Sequence, residues 1–292
     1  MSNDTIPALM DMENFDKCLE LSAKMGNKRV NLIGGEPLII PNIAEYLERV
    51  VEKKCFQEIL IFSNGTYKYE VNEIINKYNK MIKIYILINC NSKEQIGDDL
   101  YSHLLNNLEY LYRNNISFDL GINIYRTGQE YGDFICLAKK YKKKKVRWAL
   151  AAPNDCQDFR DHYCSMIETS ISFLKEMYEA SIKADIDCCS IPVCLLSDEQ
   201  IKQIVMYSPE VFNQKICHPS IDVLPDLSVV RCFAMTGVPR KEVTCFSSEK
   251  EIYVHFIKHI DLKEGEHHKE MCNDCPVYKR YKRGCGCLRL NR

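Results

Sequence analysis

The sequence predicts an α/β fold built on a parallel sheet, followed by a small cysteine-rich domain. Three observations carry this expectation. Helical and strand periodicities alternate through the first half of the chain. Several strand runs are apolar almost throughout, as strands covered on both faces of a parallel sheet are. Cysteines then crowd the last third, where the alternation stops.

The elements follow in order. Phe15, Cys18, Leu19 and Met25 fall at helical spacing, and "RVNLI" after them reads as a strand. Ile43, Leu47, Val50 and Val51 form a helical stripe before the strand "EILIF". Val71, Ile74, Ile75 and Tyr78 mark a helix before "IKIYILI". Leu100, Leu104, Leu108 and Leu111 mark a longer helix before "SFDLGINIY". A helix over Tyr131 to Tyr141 precedes "KVRWALA". That gives five strands, each preceded by a helix, and repeated crossovers of this kind build a parallel sheet or barrel. Such a series ordinarily opens with a strand, so the order implies one ahead of residue 1. A long helix from Cys164 to Lys183 follows, then "IDCCSIPVCLL" and a short helix from Asp198 to Met206. The domains are read as 1–186 for the β/α part, 187–209 for a connecting segment and 210–292 for the cysteine-rich part.

Composition limits the function. The 292 residues are enough for one large or two modest domains. The formal net charge of −1 sets up no global field toward nucleic acid or an acidic membrane. The opening "MSNDTIPALMDMENF" has neither the basic nor the apolar region of a signal peptide, and no apolar run approaches bilayer length. The expectation is a cytoplasmic protein with no nucleic-acid or membrane partner. Sixteen cysteines in a reducing compartment point to metal or redox chemistry. Cys18, Cys55, Cys90 and Cys136 stand singly in apolar patterns and read as small buried hydrophobes. "YKKKKVRW" reads as a solvated loop before a strand, Asp226 as a turn residue, and His218, His267 and His268 as surface histidines able to supply a metal ligand.

Two stretches carry chemistry. In "NLIGGEPLIIP", Gly34 and Gly35 end a strand, let a ligand approach the backbone and tolerate positive φ. Glu36 adds a carboxylate suited to an ammonium, and Pro37 fixes the exit. The stretch lacks the pattern of a phosphate loop. Local physics alone reads it equally well as a tight turn with an exposed acid. The next strand ends in "FSNGTY", with Ser63 and Asn64, so both turns lie at carboxyl ends of parallel strands, where α/β proteins place ligands. The second stretch is the tail. "CHPSIDVLPDLSVVRC" spans Cys217 to Cys232, and "CNDCPVYKRYKRGCGC" holds Cys272, Cys275, Cys285 and Cys287. Thiolates in this density suit zinc or iron–sulfur.

"GGEPLIIPNIAEYLE" followed by "IFSNGT" resembles the radical S-adenosylmethionine superfamily, and the tail resembles its SPASM domain, the auxiliary-cluster extension of radical peptide-modifying enzymes. The resemblance implies a radical-SAM-type (β/α) barrel, here incomplete, with a SPASM-like iron–sulfur domain. It assigns the methionyl amine of S-adenosylmethionine to Gly34, Gly35 and Glu36, with Ser63 and Asn64 on the adjoining turn. It assigns one or two auxiliary 4Fe–4S clusters, or zinc, to Cys217, Cys232, Cys272, Cys275, Cys285 and Cys287, with Cys194 as a further ligand. It implies a peptide or protein substrate, maturation of a ribosomally made peptide, and a small electron-transfer protein as a second partner.

The chain also departs from the family. The C-x3-C-x2-C motif that holds the radical-initiating cluster is absent from these residues. Leu87, Asn89 and Cys90 stand where the family often has a Ser-x-Asp-like strand end. Leu227 replaces a glycine after "PD", Tyr281 stands at a cluster position, and Phe233 stands where sulfatase maturases place an acidic base. Three readings follow: a truncated or degenerate radical protein, a non-catalytic peptide-binding or partner subunit, and a zinc-stabilised structural protein.

Overall fold

The computed structural model describes residues 9–151, 163–187, 191, 193–212, 220–232, 240–262, 273–274 and 279. Its centre is a six-stranded parallel sheet, β1 (Arg29–Leu32), β2 (Glu58–Ser63), β3 (Lys83–Asn89), β4 (Ser117–Ile124), β5 (Lys145–Leu150) and β6 (Lys183–Ile186). The strands lie side by side in chain order, each paired in parallel with the next. That consecutive order is that of a barrel wall. Among the described residues β1 and β6 do not pair, so the wall is open.

Helices α1 (Met12–Lys24), α2 (Ile43–Glu52), α3 (Val71–Asn79), α4 (Lys93–Arg113), α5 (Gly132–Lys140) and α6 (Ile167–Glu179) precede the six strands in turn. Alternate strand residues such as Ile59, Ile61, Ile84, Ile86, Leu120, Ile122, Val146 and Trp148 are buried in one core with Leu47, Ile75, Leu108, Ala138 and Phe173 of the helices. The other alternation, including Tyr85, Leu87, Asp119, Asn123 and Arg147, is only half-buried. One face of the sheet is therefore apolar and helix-covered, and the other is polar and partly open. The sequence reading, with strands covered on both faces, is corrected on this point.

A second correction concerns the helix expected from Cys164 to Lys183. It ends at Glu179, and β6 follows, giving a sixth strand. The stop is a left-handed turn at Ser181, φ 58°. The same device recurs. Gly26, Lys54, Asn115, Lys142 and Ser181 each sit two residues beyond a helix, all with positive φ. In most of these turns two amides reach back to the last helical carbonyls, as Ser181 N does to Tyr178 O (2.9 Å) and Ile182 N to Met177 O (2.9 Å). This is the Schellman arrangement, which satisfies carbonyls left over at a helix end.

The connecting segment holds α7 (Asp198–Tyr207), capped by Ser197 and Gln200. It packs on the first core through Ile191, Ile204 and Val211, and Ser208 Oγ donates to Ala184 O (3.1 Å). Beyond it, β7 (Asp222–Val223), β8 (Ser228–Val230) and β9 (Lys241–Glu242) form an antiparallel sheet, and α8 (Glu249–Phe256) runs into a π-turn, Ile257–Asp261. Leu227, Val229, Val243, Phe246, Ile252, Phe256 and Ile260 make a second core. Inside this small unit Arg231 and Asp261, 1% and 0% exposed, form a two-point ion pair, Nη2–Oδ2 3.3 Å and Nε–Oδ1.

Helix α1 belongs to both cores. Phe15 and Leu19 enter the first, Cys18, Leu21 and Met25 pack on the second, and Asn14 Nδ2 donates to Pro225 O (3.0 Å). Asp226 makes its expected turn, its Oδ1 accepting from Ser228 N (3.0 Å) and Ser228 Oγ (2.6 Å). Among the described residues no helix is long and apolar enough to cross a membrane.

Candidate functional site

The parallel pairing of β1 and β2, with Leu32 opposite Ile61, sets their carboxyl ends side by side. The chain leaves β1 through Ile33, Gly34, Gly35 and Glu36, then enters a short helical turn, Pro37–Ile39. It leaves β2 through Ser63, Asn64, Gly65, Thr66 and Tyr67. Glu36 joins the two turns. Its Oε1 accepts from Leu38 N at 3.1 Å, and its Oε2 accepts from Asn64 N at 2.6 Å. The Ser63 hydroxyl adds a hydrogen bond. Burial nevertheless raises the Glu36 pKa, because desolvation outweighs the donors from Asn64, Leu38 and Ser63.

The second turn is fixed from below. Gly65 has φ +74°, and a Cβ built on it would lie 2.5 Å from Leu104 Cδ1 and 3.0 Å from Ile88 Cγ2. Only glycine meets both conditions. Asn107, on α4, donates from Nδ2 to Gly65 O (2.9 Å) and Tyr67 O (2.8 Å). Its Oδ1 accepts from Asn72 Nδ2 (2.7 Å), and Asn72 Oδ1 accepts from Tyr67 OH (3.0 Å). Asn72, Asn107 and Tyr67 are all buried, so this network holds the turn in one shape.

The first turn is open where the second is closed. A Cβ on Gly34 or Gly35 would meet nothing within 4 Å, and neither residue has the positive φ that the sequence reading allowed. Their smallness serves approach to the backbone. Half-buried Glu36 beside this open backbone has acceptor capacity beyond its two backbone donors. The arrangement fits an ammonium group. Among the other predicted contacts, Ser63 lies under Glu36, and its Oγ also accepts from Gly65 N (2.9 Å). The Asn64 side chain is turned to its own loop, Oδ1 accepting from Thr66 N (2.9 Å) and Thr66 Oγ1 (2.6 Å). What Asn64 offers Glu36 is its backbone.

Of the predicted metal cysteines, Cys232 follows β8 and is half-buried against the second core. Cys217, Cys272, Cys275, Cys285 and Cys287 lie outside the described residues, as do His218, His267 and His268. Among the described residues no three His, Cys, Asp or Glu side chains gather as metal ligands do. Cys194 is exposed on the turn Val193–Leu195. The singly placed cysteines divide. Cys90 is buried, and burial pushes its thiol up to about 12. Cys18 is pushed up to about 11 between the two cores, Cys55 is half-buried, and Cys136 is exposed, against expectation. Leu227 has φ +64°, the left-handed conformation that suits the glycine it replaces.

Sequence reasoning missed the open face of the sheet. Arg147 pairs with Asp187, and its guanidinium lies 5.5 Å from the Phe62 ring centroid, reaching from β5 toward β2. Tyr85 hydrogen-bonds Asp119, and burial and that carboxylate raise its pKa. The signal was there: Tyr85, Asp119 and Arg147 interrupt apolar runs at alternate positions. Lys143 lies in the loop before β5 as expected, but it is half-buried, with its ammonium 3.6 Å from the Phe118 ring centroid.

No family model matches the chain, and no curated protein matches it. Solved structures do. Streptococcus suis SuiB bound to S-adenosylmethionine superposes with a TM-score of 0.61 at 16% identity, over 98% of this chain and 67% of that one. A second SuiB structure gives 0.59 at 16%, over 97% and 68%. Native anSMEcpe with bound AdoMet gives 0.62 at 15%, over 95% and 80%. The chain therefore shares the fold of these proteins, and its six-stranded parallel sheet is consistent with the partial barrel expected from the sequence.

Proposed function

We propose that this chain is a radical S-adenosylmethionine-type protein that serves the maturation of a ribosomally made peptide or protein. In this reading Gly34, Gly35 and Glu36 hold the methionyl amine of S-adenosylmethionine, and the cysteine-rich C-terminal part holds one or two auxiliary 4Fe–4S clusters, or zinc. One observation carries the proposal: a half-buried carboxylate, tied across two strand-end turns, stands beside backbone that has room for a ligand. The bound S-adenosylmethionine named for SuiB and anSMEcpe supports it.

The residues of this chain bind and orient. Glu36 accepts the ammonium, the open Gly34–Gly35 backbone lets the amino-acid end lie close, and Asn107 holds the second turn still. When bound and reduced through a cluster, S-adenosylmethionine supplies a carbon-centred radical. These 292 residues contain no C-x3-C-x2-C motif to hold that initiating cluster. The second reading, a peptide-binding or partner subunit, is favoured by Leu227 in a left-handed position and by Leu87 on the open sheet face, where it offers no hydrogen bond.

Calorimetric titration with S-adenosylmethionine tests the site. Saturable binding is expected, weakened about ten-fold or more in Glu36→Gln, as loss of a charged hydrogen-bond partner dictates. Equal affinity in the variant would overturn the assignment. Formation of 5′-deoxyadenosine after anaerobic reconstitution separates catalyst from binding subunit. Visible iron–sulfur charge-transfer absorption with bound sulfide separates clusters from zinc.

A further inference from the structure

A cavity of about 530 Å³ opens at the carboxyl end of β4, between the first turn of α4 and the β4–α5 connection. None of its lining residues belongs to the Glu36 turn or to the turn after β2. Its volume is that of a small-molecule site. Ile122, Phe134 and Leu137 contribute apolar surface, and Tyr101, Tyr125 and Tyr131 contribute aromatic walls.

The walls are held in place. Gln129, 6% exposed, accepts from Tyr125 N (2.9 Å) at Oε1 and donates to Asn123 O (3.0 Å) from Nε2. Thr127 Oγ1 donates to Ser165 O (2.9 Å), and Gly128 N donates to Thr169 Oγ1 (2.9 Å). These bonds fix the loop carrying Tyr125, Glu130 and Tyr131. On the facing wall α4 breaks at Gly97, φ 80° and ψ 169°, a conformation that belongs to glycine. The turn bearing Lys93 and Glu94 is thereby set off from the rest of the helix, and Arg126 joins the walls by pairing with Glu94.

The charge balance selects the ligand. Both bases at the cavity are already matched: Lys93 pairs with Asp98 (2.9 Å) and Arg126 with Glu94. Glu130 and Asp133 also line the cavity, and neither makes an ion pair among the described residues. Two unmatched carboxylates therefore stand beside three tyrosines. Aromatic faces attract cations, and the apolar floor takes a hydrocarbon stem. We infer that this cavity binds a guanidinium or ammonium on an apolar stem, from a peptide side chain or a free amine, with Glu130 and Asp133 as its charge partners. The inference is independent of the Glu36 assignment. The Arg126–Glu94 pair is exposed (44% and 63%), so an entering cation displaces a weak surface contact.

The test titrates the full chain with agmatine and with a blocked short peptide carrying one arginine. Heat is recorded together with the emission of Trp148, the sole tryptophan, which contacts Tyr131 through Phe173 at centroid distances of 5.9 and 5.2 Å. Saturable binding of either is expected, weakened about ten-fold or more in E130Q/D133N. Binding of the peptide assigns the cation to a side chain, and binding of agmatine alone assigns it to a free amine. Both replaced residues are exposed, so the variant keeps its fold, which an unchanged unfolding midpoint verifies. S-Adenosylmethionine affinity should be the same in variant and parent, which separates this site from the Glu36 turn. No saturable binding of either probe, or equal binding by the variant, overturns the inference.

Discussion

Glu36 is pulled two ways: burial favours its neutral form, and the amides of Asn64 and Leu38 favour the carboxylate. Burial is the larger effect, so its folded pKa lies above its unfolded one. On acidification the folded chain takes up this proton first. The contribution of Glu36 protonation to folding is thus fully present below the unfolded value and is lost as pH rises through the folded value. Ammonium binding needs the ionised form. S-Adenosylmethionine affinity should therefore fall on acidification at a higher pH than an ordinary glutamate would allow, and calorimetry should find this dependence gone in Glu36→Gln. The glycines give a paired prediction. Gly65→Ala forces a left-handed alanine into Leu104 and should cost about 2–4 kcal/mol in denaturant unfolding. Gly34→Ala meets no neighbour, so it should leave the unfolding midpoint nearly unchanged while weakening S-adenosylmethionine binding.

The helix-to-strand turns explain what was legible at the level of elements. The first five strands were readable because each follows a clear helical stripe and lies in an apolar run with β-branched or aromatic residues. β6 was not. "KADI" has little strand character, and the stripe Ile167, Ile171, Leu174, Met177 continues in register toward Ala184. The helix stops at Ser181, a left-handed residue that carries no glycine signal. Lys54, Lys142 and Ser181 all hold this conformation at a steric cost, so each should gain about 1 kcal/mol on replacement by glycine, read as a raised unfolding midpoint. The Glu36 turn was legible for a different reason: its residues are contiguous. The Asn72–Asn107 network and the Arg147 cluster were hidden because their members come from separate helices and strands.

Across the whole molecule the two cores differ in what holds them. The first is large and apolar. The second is small and encloses a buried ion pair. Truncating one partner of such a pair removes the counter-charge of a buried ion, so Asp261→Ala should destabilise the protein by about 3–5 kcal/mol, measured by equilibrium unfolding. Helix α1 couples the cores, since Phe15 and Leu19 face one while Cys18 and Leu21 face the other. This gives the chain a schedule during synthesis. The helix leaves the ribosome well before the second core does, for Asn14 meets Pro225 across 211 residues of sequence. At about 5–20 residues per second, its second face waits tens of seconds or less for its partner to be made. Until then Leu21 and Met25 are an uncovered apolar strip, the place where a holdase chaperone would grip the nascent chain.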